Sequence, residues 1–158
     1  MAKRMTAKEA QSYRKMAADE FNLVWALLDK ARRSRDEDET MVHAAHASRY
    51  HWSLVGNPTN LAIGEWQVSR VYAVLGRAEP CLHHARRCLK ICEANRIGDF
   101  PLAFAYEALA RADAVAGRKK DLRLHLAKAY KAGLAIAGKE DRDAFFRQLG
   151  TVARARKR

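Results

Sequence analysis

Apolar residues recur along this chain at intervals of three and four, the period of an α-helix with one buried face. A first stripe, Ala10, Tyr13, Ala17, Phe21, Val24 and Leu28, predicts a helix from about Thr6 to Arg33. The acidic run Asp36 to Glu39 interrupts it and places negative charge at the start of the next helix, where the helix dipole favours it. That second helix carries Met41, Ala45, Ser48, Trp52 and Val55 on one face. Gly56-Asn57-Pro58-Thr59 ends it, because glycine takes a left-handed cap and proline cannot continue a helix.

The same pattern continues to the C-terminus. Helices are predicted over about Asn60 to Leu75, Glu79 to Ala94, Leu102 to Ala116, Asp121 to Ala137 and Asp141 to Ala153. Gly76, Gly117 and Gly138 mark stops, Asn95 to Pro101 reads as a loop, and Asp121 reads as a cap. No segment alternates with the two-residue period of a strand. Connections of two to six residues force neighbouring helices antiparallel. The expected fold is therefore all-α, with about seven helices in antiparallel pairs, forming one domain over residues 1–158. The pairs span about 6–55, 59–95 and 99–137, and a helix over 141–153 caps the stack with Arg142, Asp143, Arg147 and Gln148 outward.

An internal echo sharpens this picture. Val71 to Arg77 (VYAVLGR) is followed by Cys81, Ala85, Cys88 and Leu89; 41 residues later, Ala112 to Arg118 (ADAVAGR) is followed by Leu122, Leu126, Ala129 and Tyr130. This pattern resembles the tetratricopeptide repeat (TPR), with packing residues on a first helix, a glycine turn and a small-residue second helix. Glu65, Val68, Ser69 and Tyr72 match the first-helix positions of one unit, and Tyr106, Leu109, Ala110 and Asp113 those of the next. The spacing of 41 exceeds the usual repeat of about 34, Glu65 stands where an aromatic is typical, and Asp113 replaces a tyrosine. Arg49 to Gly56 and Glu65 to Arg77 also resemble a bacterial group of TPR-like proteins, to which no activity is attached. The resemblance implies a short right-handed superhelix of stacked pairs.

Charge and chemistry add less. A formal net charge of +12 raises an acidic partner such as nucleic acid. Yet the basic residues are scattered, some of them at the ends as Lys3, Arg4, Lys8, Arg154, Arg156, Lys157 and Arg158, and aromatics are not interleaved with them. Cys81, Cys88 and Cys92 fall within roughly 40° of one helical stripe and read as buried core. No C-x-x-C knuckle, H-E-x-x-H pair, nucleophile elbow or phosphate loop is present, so no catalytic, cofactor or metal residue is assigned. No secretory h-region or apolar span of membrane length is found, and a cytoplasmic location is expected.

The TPR resemblance implies a groove lined by the first helix of each pair. Carried onto this chain, the groove positions are Ile63, Trp66, Arg70, Phe104, Glu107 and Arg111, with His43, His46 and Tyr50 as lesser candidates if the second helix faces it. The expected function is a non-catalytic protein- or peptide-binding scaffold, and the free end faces of a three-pair stack make a second copy another candidate partner. The alternatives are a nucleic-acid-associated basic helical protein and a metal or enzymatic protein using the histidines.

Overall fold

A computed structural model of the protein describes residues 5–155 and is all-helical. Its elements are α1 (Ala7–Leu28), α2 (Arg35–Val55), α3 (Pro58–Val74), α4 (Ala78–Ala94), α5 (Asp99–Ala116), α6 (Lys119–Leu134), α7 (Lys139–Leu149) and a 3-10 turn (Val152–Arg154). The terminal charges Lys3, Arg4, Arg156, Lys157 and Arg158 lie outside the described residues. Helices α1/α2, α3/α4 and α5/α6 pack as antiparallel pairs, and successive pairs stack through α2 on α3, α4 on α5 and α3 on α5. No described helix is long and apolar enough to cross a membrane.

The internal echo is a repeat of backbone geometry. Helices α3 and α5 start at Pro58 and Asp99, and α4 and α6 at Ala78 and Lys119; both intervals are 41 residues. Each hairpin turns at a left-handed glycine, Gly76 (φ 70°) or Gly117 (φ 72°). At both turns the following arginine N–H reaches back to a first-helix carbonyl at 2.9 Å, Arg77 to Tyr72 and Arg118 to Asp113. That wrap satisfies a carbonyl the helix end would otherwise leave unpaired.

Several boundaries differ from the sequence expectation, each for a local reason. Helix α1 stops at Leu28, not Arg33, because the Arg33 guanidinium folds back onto the Leu27 carbonyl (3.2 Å) and pairs with Asp38 (2.7 Å). Ser34 then caps α2 in a reciprocal box with Glu37, ahead of the acidic run. Gly56 is extended (φ −91°, ψ −176°), not left-handed; Asn57 caps α3 and Pro58 opens it, where a missing N–H costs nothing. Helix α5 begins at Asp99, inside the expected loop, and Pro101 sits in its first turn. Asp121 lies in the first turn of α6 and does not cap it.

Helices α3 and α5 are buried on most sides, which is why their sequences lack a clean polar face. In α5, Ala103, Ala105, Ala108, Ala110 and Ala112 are all buried. Small side chains there let neighbouring helices approach closely. Buried polar groups fasten helices at fixed points: Ser48 Oγ donates to the Ala17 carbonyl (2.7 Å), Gln67 Nε2 to Phe21 (3.0 Å) and Ser69 Oγ to Cys81 (2.8 Å). Each such bond contributes about 1 kcal/mol net. The three cysteines are free buried thiols in α4.

The last helix does more than close the end. Phe145 is fully buried, and Gly133 of α6 gives it room: a Cβ at Gly133 would stand 2.4 Å from Phe145 Cε1. Arg147 is exposed and Asp143 pairs with Lys139, but Gln148 faces inward, contrary to the outward placement expected of it. Replacing a helical glycine by alanine would by propensity gain about 1 kcal/mol. Overpacking a filled site loses about 1–3 kcal/mol. Gly133→Ala is therefore expected to lower stability in urea denaturation, and an increase would show that α7 is not seated on α6 as described.

Candidate functional site on the face of the odd-numbered helices

Helices α1, α3 and α5 present a continuous row of aromatic rings. Phe21 meets Trp25, Trp25 meets Trp66 (5.5 Å between centroids), Trp66 meets Phe104 (4.9 Å), and Phe104 meets Phe145 of α7 (5.1 Å). Edge-to-face and tilted pairs at such distances contribute about 0.5–1.5 kcal/mol each beyond burial. Beside this row opens a hollow of about 290 Å³, walled by Phe21, Ile63, Trp66, Phe100, Pro101 and Phe104, with Ala62 and Cys88 also lining it; no polar atom lines it. On the other side of Phe21 and Ile63 lies a smaller hollow of about 180 Å³, bounded by Ala18, Asn22, Trp52, Asn60 and Gly64.

Further along the same face the chemistry changes from apolar to ionic. The Glu107 carboxylate is fully buried. It accepts the Trp66 indole N–H (3.2 Å) and bonds from Arg111 Nε (2.7 Å) and Nη2 (2.5 Å). Arg70 Nη1 stands 3.5 Å away, close enough for charge attraction but outside hydrogen-bond geometry. Burial pulls the Arg70 guanidinium down to about 10, and repulsion from Arg111 acts the same way. Both arginines also grip the C-terminal segment: Arg70 bonds Gln148 Oε1 (3.0 Å), while Arg111 bonds the Gln148 carbonyl (3.1 Å) and Thr151 Oγ1 (2.8 Å). Arg70 and Arg111 are 41 residues apart and occupy equivalent repeat positions.

A second buried acid lies between the first and second pairs. Glu65 receives Arg49 Nε (2.9 Å), Arg87 Nε (2.9 Å) and His84 Nδ1 (2.6 Å). Burial alone would raise this carboxyl, but the bonds from His84 and Arg87 and the charge of Arg49 outweigh it and hold it at about 2. In the next unit His125, 41 residues after His84, pairs with buried Asp113 at 2.6 Å. Burial raises the Asp113 carboxyl, and His125 offsets part of that rise. Thus Glu65 and Asp113, the two departures from the repeat pattern, each hydrogen-bond a histidine of the following helix and so close a hairpin.

The candidate groove residues divide between these zones. Ile63, Phe104 and one side of Trp66 wall the apolar hollow, with Phe104 at the position equivalent to Ile63. Glu107 and Arg111 face the interior and the C-terminal segment rather than an open groove, and Arg70 is half-buried beside them. His43, His46 and Tyr50 are exposed on α2; His46 Nε2 lies 2.9 Å from the Tyr72 hydroxyl, between α2 and α3. Among the described residues no group of three or more His, Cys, Asp or Glu side chains is placed to hold a metal ion.

The sequence reading missed Phe21, Phe100 and Pro101 as wall residues and missed the Glu65 cluster. The signal for the cluster was present in Glu65, an acid at the buried phase of its helix, which calls for cationic partners on the neighbouring helices.

The chain matches no known protein family, no curated protein and no solved structure.

The low value held by Glu65 has a consequence for stability. Because the folded-state carboxyl titrates at about 2 rather than 4.5, its stabilisation is complete above pH 4.5 and is lost as the pH falls towards 2. Thermal melts of the protein should decline over that window, and Glu65→Gln, which removes the buried acid that Arg49, His84 and Arg87 share, should cost roughly 3 kcal/mol at neutral pH and flatten the acid-side decline.

Proposed function

We propose that this chain is a non-catalytic scaffold of TPR-like type that binds an apolar segment of a protein partner through the face formed by α1, α3 and α5. The observation that carries the reading is the aromatic-walled hollow of about 290 Å³, which has no polar lining and draws walls from all three first helices. With the smaller hollow beyond Phe21 and Ile63, it offers two adjacent seats divided by a shared wall. Two apolar side chains one turn apart on an amphipathic helix match such an arrangement. Trp66 and the surrounding phenylalanines supply the desolvated aromatic setting in which binding energy concentrates.

The reactive groups are engaged in structure, which supports a non-catalytic role. Burial pushes the Cys81 thiol up to about 11, and a hydrogen bond with Cys92, helped by burial, raises Cys88, so neither forms a thiolate readily. Glu65 and Glu107 are saturated by arginine, histidine and tryptophan donors. Three free buried cysteines fit a reducing, cytoplasmic setting.

Selection of helical peptides from a randomised display library tests this reading directly. Enriched sequences should carry large apolar residues three or four positions apart. Ile63 is half-buried in the wall shared by both hollows. Ile63→Glu should weaken the selected peptides at least tenfold, equivalent to about 1.4 kcal/mol, with helical circular dichroism retained. Lys131→Glu, exposed on α6, should leave them unchanged. Enriched sequences without an apolar pair, or binding indifferent to Ile63→Glu, would refute the assignment.

A further inference from the structure

The α4 helix carries a cluster that the peptide-binding reading does not use. His83, Arg86, Arg87 and Lys90 are all exposed, and their offsets of three, four and seven residues align them in one stripe. At 1.5 Å per residue the stripe is about 10 Å long. Across from it, at the α5–α6 turn, stands Arg118, and together these side chains border a hollow of about 690 Å³. Glu79 is the one acidic residue among those lining it. Arg87 is partly engaged, through its bond to Glu65. Among the described residues, Arg86, Lys90 and Arg118 have no carboxylate within ion-pair distance.

Such a stripe opposes its own helix. Like charges at offsets of three and four, as in Arg86 with Lys90 and Arg87 with Lys90, destabilise a helix by about 0.2–0.5 kcal/mol per pair. A polyanion laid along the stripe relieves that repulsion. No tryptophan, tyrosine or phenylalanine lines the hollow, and His83 is the one ring among the residues lining it, so bases have no extended platform on which to stack. The recognisable feature of a ligand here is a row of negative charges, and long cationic side chains borne on Cβ atoms about 5–6 Å apart can follow successive phosphates.

We infer that the α4 stripe and Arg118 form a docking site for the phosphate backbone of nucleic acid, bound without sequence preference. The site shares no residue with the aromatic hollow, so it stands or falls independently of the peptide-binding reading. Charge is the whole of the recognition. Four cations, Arg86, Arg87, Lys90 and Arg118, displacing counterions from a duplex give a slope of log affinity on log salt of about −4. A fourfold rise in salt then weakens binding by about two orders of magnitude.

Fluorescence anisotropy with a short labelled DNA duplex, at several salt concentrations, tests this on the full chain. The unmodified protein should give a slope of about −4, and Arg86→Ala/Lys90→Ala/Arg118→Ala should reduce it to about −1. The charge-preserving Arg86→Lys/Arg118→Lys should keep the original slope, which separates lost charge from lost structure. Arg32→Ala/Arg35→Ala/Arg147→Ala removes three exposed charges elsewhere and should change the slope little. Equal losses in the two triple variants would overturn the proposal, because net charge and not this hollow would then govern binding. Tight binding of poly-glutamate with none of DNA would overturn it in favour of an acidic protein partner.

Discussion

Glu107 is the constraint around which the rest of the molecule is arranged. A carboxylate with no solvent exposure loses its hydration, and the interior must replace that hydration with donors. Here Trp66 supplies an indole N–H from the preceding pair, Arg111 supplies two guanidinium N–H groups one turn along α5, and Arg70 adds its charge. The two guanidinium groups have donors to spare, and these reach Gln148 and Thr151. One buried charge thereby fixes the spacing of α3 and α5 and the seat of the C-terminal segment.

That arrangement explains why the face of the odd-numbered helices has two characters. Where the arginines lie, α7 and the following turn fold over the stack, and Phe145 and Val152 are fully buried. Towards the start of α3 and α5 there is no such cover, and the aromatic walls leave an apolar hollow. The ring of Trp66 belongs to both zones: its N–H serves Glu107, and its carbon face lines the hollow. On the proposed reading, a partner seated there would press on the residue that orders the stack, and binding would be coupled to the junction of the two pairs through one side chain.

Much of the architecture was legible in the sequence. Helix number, the hairpin turns at Gly76 and Gly117, and burial of the cysteine stripe follow from periodicity and from the conformational needs of a left-handed turn. The errors cluster where a side chain closes a loop. Arg33 ended α1 early by binding a carbonyl, and Pro58, expected only to stop α2, opens α3 two residues before its expected start. The site was less legible because burial by neighbouring pairs cannot be read from one helix's own pattern. Glu107 and Arg111 look like groove residues in α5 alone and become interior only when α3 and α7 enclose them. Conversely, the acids that break the repeat pattern, Glu65 and Asp113, are the ones with specific partners, because an unpaired buried carboxylate would not persist.

The most direct measurement is hydrogen exchange of the three tryptophan indole N–H groups, resolved by nuclear magnetic resonance. Trp25 and Trp52 are only half-buried, whereas Trp66 is buried and bonded to Glu107. The Trp66 proton should exchange only when the stack opens, at least about tenfold more slowly than the other two and in step with the most protected α5 amides. Exchange of the Trp66 indole at the rate of Trp52 would contradict the account, because it would mean that the buried carboxylate does not hold the pairs together.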